Sequence, residues 1–236
     1  MMNRLLAYRF NRPERLRSVL RSYPDALPVT SSSGSDKTPV PSDAPAAGSG
    51  GAGAAAATAL RWGTGFFVGH EPLVQRYTEE NSRGATTLME LKSQHLLAQV
   101  AQTPKGRMTM GGQTSSPYRF RRFLLAAQGD LPVLQKERQA LLAELPDFLR
   151  NNVRSHDPAE ALLHLLLLRL YEADPGYVNQ PDLPPEVALA ALGQVLSEAA
   201  GKPVEDAPPQ VQHVLLASGQ WLLCARRGPQ PLWFKE

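Results

Sequence analysis

The chain has 236 residues, 42% hydrophobic and 20% charged, an ordinary globular usage that excludes a wholly disordered chain and a collagen-like fibre. A formal net charge of +3 is too small to imply a nucleic-acid partner by itself. The single cysteine, Cys224, excludes an internal disulfide framework, and the five histidines, His70, His95, His156, His164 and His213, form no HExxH or other metal spacing, so neither metal nor cofactor is expected.

In chain order, Arg4–Phe10 is apolar enough for a buried strand, and Arg12–Tyr23 carries Leu16, Val19 and Leu20 at helical spacing after Pro13. The opening segment has dispersed arginines and no apolar region ending in a small-residue cleavage site, so no secretory signal is expected. Residues 31–58 are nearly all Ser, Gly, Pro and Ala, a composition that cannot offset the entropy of ordering, and they are expected to be a disordered insertion. After it, Leu60–Val68 and Leu73–Tyr77 read as a hairpin around Gly69-His70-Glu71-Pro72, and His95–Ala101 and Phe120–Ala127 as further strands. Leu131–Val153, Pro158–Glu172 and Pro184–Ala200 show helical periodicity; His213–Arg227 reads as two strands meeting at Ser218-Gly219, followed by a strand in Pro231–Lys235. The most apolar stretch, Leu162–Tyr171, contains His164 and Arg169 and is too short to span a bilayer. A cytoplasmic protein with no membrane association is the expectation.

Strands at both ends with helices between them predict an α+β layered domain. Residues 1–30 and 59–236 are expected to form one domain interrupted by the insertion.

Four landmarks in order resemble the class II glutamine amidotransferases, the N-terminal-nucleophile glutaminases. Met2–Arg9 is similar to their MCRLLAYRG start and Arg61–Phe66 to GWGVGFY; His95–Ala101 is similar to HLxxHVR and Leu125–Leu131 to FAHNGxI. The resemblance implies a four-layer αββα sandwich. In that family a Cys thiolate attacks the glutamine amide while its own α-amino group acts as base. The matching residue here is Asn3, an amide with no useful nucleophilicity, and Met1 or Met2 is expected to remain in front of it. The family's carboxylate-gripping Arg corresponds to Ala101, and the preceding His to Gln99. The oxyanion hole of Asn side chain and Gly amide corresponds to Gln128 and Gly129, where the extra methylene displaces the donor. The Asp that binds the substrate's α-amino group corresponds to Pro158, with Asp157 adjacent.

Losing nucleophile, base and carboxylate clamp together implies a scaffold that outlived its chemistry. The expectation is a catalytically silent amidotransferase-like domain that binds another protein or a glutamine-like ligand in a vestigial pocket lined by Gln99, Ala101 and Asp157. The alternative is an active amidotransferase or amidohydrolase with a relocated nucleophile: Cys224, Ser115 or Ser116. A nucleic-acid adaptor using Arg12, Arg15, Arg17 and Arg21, or Arg119, Arg121 and Arg122, is the weakest of the three.

Overall fold

Five apolar residues of one sheet meet six of another to form the centre of the molecule, seen in a computed structural model that describes residues 4–10, 12, 17–18, 21, 58–78, 91–104, 116–129, 131–200 and 212–229. The first sheet contains β1 (Arg4–Arg9), β2 (Thr58–Val68), β3 (Glu71–Thr78) and β4 (His95–Pro104) in the order β1-β4-β2-β3. The second contains β5 (Tyr118–Phe120), β6 (Phe123–Gly129), β7 (Gln212–Ala217) and β8 (Leu222–Arg227) in sequential order. Every pairing is antiparallel.

Alternation along each strand sends one set of side chains into the space between the sheets. Leu5, Ala7, Phe67, Val74 and Leu97 meet Leu124, Ala126, Leu215, Ala217, Leu222 and Cys224 there. The opposite face of the second sheet, including Phe123, Leu125, Val214 and Leu216, packs on the helices. Both faces being covered explains why β6 and β7 read as continuous apolar runs. The outer face of the first sheet carries Trp62, Phe66, Leu96, Ala98 and Val100, all buried, with Trp62 and Tyr77 stacked at 3.8 Å between ring centroids.

The helices are α1 (Pro132–Lys136), α2 (Arg138–Ala143), α3 (Asp147–Arg150), α4 (Pro158–Ala173) and α5 (Pro185–Ala200). Nearly every residue of α4 from Ala159 to Leu168 is buried, as its all-round Leu pattern requires. Asp157 caps it, accepting from Ala159 N at 2.8 Å.

Several expectations are corrected. The run Leu131–Val153 is three short helices, broken at Glu137 and again before α3, where Pro146 has no N–H to donate and sits at the N-cap. Phe120–Ala127 is a hairpin, turning at Arg121-Arg122 with Arg121 at φ +47°. The β2–β3 turn is Gly69-His70 alone, since Val68 already pairs with Glu71, and Gly69 adopts φ +62°. Thr58 belongs to β2. The five helices given above lie against the second sheet, so the architecture seen is two antiparallel sheets plus helices. Most of the Arg12–Tyr23 helix, residues 31–57 and the Pro231–Lys235 strand lie outside the described residues.

Candidate functional site

The space between the sheets ends in a polar mouth. On β4 the inward series passes from Leu97 to Gln99 and Ala101, and on β6 from Leu124 and Ala126 to Gln128. On β7 it passes from Ala217 and Leu215 to His213, and on β8 from Leu222 and Cys224 to Arg226. Register sets Gln128 opposite His213 and His213 opposite Arg226, so the three form a row across the second sheet. Gln99 closes the gap from the first sheet, its Nε2 donating to Ala127 O at 2.9 Å, while its Oε1 is buried without a hydrogen-bond partner. Gly129 follows at φ +115°, a backbone state that favours glycine.

Gln99, Ala101, Gln128 and Gly129 are thus brought to one end of the sandwich; Asn3 and Ser115 lie outside the described residues. His213 and Arg226 were not singled out for this site. Their signal was the period-two alternation from Leu215 and Cys224, legible only once it is known which face meets the other sheet. This end of the sandwich carries amides, an imidazole and a guanidinium, residue types that recognise polar or carboxylate-bearing groups.

Two glycines let the sheets approach. A Cβ on Gly63 would stand 2.3 Å from the Ser116 carbonyl oxygen, and one on Gly65 2.9 Å from Leu124 Cδ1. The Gly-rich landmark in β2 therefore has a packing role.

Asp157 is placed elsewhere. Its Oδ2 accepts from Tyr118 Oη at 2.8 Å and its Oδ1 from Ala159 N at 2.8 Å, and Tyr118 packs with the helix-side cluster. Burial pushes the Asp157 carboxyl above the usual range despite these bonds, and burial followed by the Asp157 charge pushes the Tyr118 phenol up strongly. Glu160 is buried beside it, accepting from Arg154 N, Ser155 N and Ser155 Oγ. Asp157 is a structural cap on the far face of the second sheet from Gln99.

The substitute nucleophiles are poorly disposed. Burial raises the Cys224 thiol, which lies among apolar side chains between the sheets. Ser116 is 3% exposed and precedes a cis peptide bond to Pro117; its Oγ faces Leu125 O at 3.5 Å. His164 is buried, with Nδ1 2.9 Å from Glu160 O. Among the described residues no three His, Cys, Asp or Glu side chains converge as a metal site, and no helix is long and apolar enough to cross a membrane.

No family model matches the chain, and no curated protein matches it. Among solved structures it is similar to a glutamine aminotransferase class-II domain protein from Silicibacter pomeroyi, at 13% identity and TM-score 0.47, over 72% of this chain and 74% of that one. It is also similar to the glutamine phosphoribosylpyrophosphate amidotransferase of B. subtilis, at 13% identity and TM-score 0.44, over 70% of this chain and 30% of that enzyme.

Proposed function

We propose that the chain is a class II glutamine amidotransferase-like domain of the four-layer αββα type whose glutaminase chemistry has been lost, and that it works in the cytoplasm as a scaffold binding another protein or a glutamine-like ligand at the mouth between its sheets. The observation that carries this reading is the Gln99 to Ala127 hydrogen bond. At the mouth, one residue of the matched motif is an amide tied to the scaffold and the next inward position, Ala101, has no functional group. Asn3 at the nucleophile position and the commitment of Asp157 to Tyr118 and Ala159 support it. The buried outer face of the first sheet supports a fourth layer.

The test is release of glutamate and ammonia from glutamine by the purified protein, with its intact mass recorded. The expected result is no turnover above a protein-free blank. Turnover that disappears in Cys224→Ala or Ser116→Ala would establish the alternative, an enzyme with a relocated nucleophile.

A further inference from the structure

A second concave site lies on the flank of the sandwich, where the edge strands β3 and β5 of the two sheets meet the loop after α3. It is a groove of about 790 Å³, within the range of small-molecule sites. Four arginines line it: Arg76 of β3, Arg119 of β5, Arg121 of the β5–β6 turn and Arg154 before α4. The amides of Asn151 and Asn152 complete its polar wall.

Two of these side chains, and the backbone of a third, are held in place. Arg119 Nη1 donates to Pro72 O at 2.8 Å. The Arg121 guanidinium lies 5.5 Å from the centroid of Phe120 and 5.8 Å from that of Phe148, within cation–π range. Arg154 is anchored through its backbone N–H, which donates to both Glu160 oxygens at 3.1 Å. Two carboxylates face the same groove or its rim. Glu160 is saturated by backbone and hydroxyl donors, and Glu71 is an exposed partner of Arg119 at 3.5 Å. The four positive charges therefore outnumber the negative ones.

The turn supplies an independent sign. Arg121 occupies φ +47°, a conformation in which Gly or Asn is cheaper. Arg121 thus reaches two phenyl rings from a backbone state that costs an arginine more than a glycine.

We propose that this groove binds a small phosphate-bearing anion of the diphosphate class, with Arg121 and Arg154 as its principal contacts. The planar fork of an arginine matches phosphate oxygens bidentately. The concavity and the chain's small net charge favour a compact anion over an extended nucleic acid.

The test is calorimetric titration of the full chain at low salt with sodium pyrophosphate, in parallel with ADP and citrate. Binding of pyrophosphate should be weakened by about tenfold or more in Arg121→Gly and in Arg154→Gln, the loss expected for a charge-assisted contact. Arg121→Gly relieves the turn, so its fold should survive, as a thermal melt will check. Arg150→Ala, whose guanidinium pairs with Asp147 outside the groove, should bind as the parent does. ADP binding more tightly with the same arginine dependence would assign a nucleotide, and equal affinity would assign the diphosphate group alone. No pyrophosphate binding, binding indifferent to both arginines, or citrate binding as tightly as pyrophosphate would overturn the proposal.

Discussion

Gln99 of the first sheet donates from Nε2 to the backbone carbonyl of Ala127 in the second, at 2.9 Å. One side chain therefore joins the two sheets at the end where the mouth opens, and the same contact occupies a group that would otherwise face a ligand.

The first prediction follows from that bond. Replacing Gln99 with Leu removes one hydrogen bond but also the buried Oε1 that has no partner, so the net loss should be only about 1 kcal/mol. Urea denaturation checks it, and a loss of several kcal/mol would show that Gln99 anchors more than the Ala127 carbonyl.

Close approach of the sheets makes Gly63 and Gly65 unequal. The Gly63 Cβ would collide with backbone, the Ser116 carbonyl at 2.3 Å, whereas the Gly65 Cβ would meet the end of the Leu124 side chain at 2.9 Å. Gly63→Ala should cost about 3 kcal/mol and Gly65→Ala about 1 kcal/mol, spanning the range for overpacking. Equal costs by chemical denaturation would contradict this account.

His95 should govern part of the acid limb of stability. It is 2% exposed, lies against Phe67 at 5.7 Å between centroids, and burial followed by the Arg9 charge holds its imidazole down from 6.5 to about 4. Protonation therefore favours the unfolded chain. The contribution is present above about pH 6.5, is lost progressively as pH falls to about 4, and amounts to at most roughly 3 kcal/mol. His164, lowered by burial, acts in the same direction; Asp157, raised by burial, acts in the opposite one. His95→Phe should flatten the stability profile between those pH values in a series of denaturant melts.

Asp157→Ala should destabilise the protein by about 2 kcal/mol, combining the loss of the α4 cap with an unmatched Tyr118 hydroxyl. If Asp157 instead served a ligand at the mouth, its removal would change glutamine binding and leave the melt untouched.

Much of this fold was legible in the sequence because its signals are local. The periodicity of Pro158–Glu172 and Pro184–Ala200, and the apolar runs of β1, β2, β4 and β7, needed only neighbouring residues. The hairpin at Arg121-Arg122 has no local signature, because two arginines, one of them at positive φ, are not a turn sequence, and Pro146 interrupts a Leu pattern that reads as continuous from Leu131 to Val153. The sequence by itself determined which groups stand at the matched positions, Asn3, Gln99, Ala101, Gln128 and Gly129 among them. Only the tertiary structure decided that Gln99 is tied to Ala127, that Asp157 turns to Tyr118 behind the second sheet, and that His213 and Arg226 join the mouth. The physical reason is that strand alternation offers two faces for each residue, and only the packing of one sheet on another selects between them.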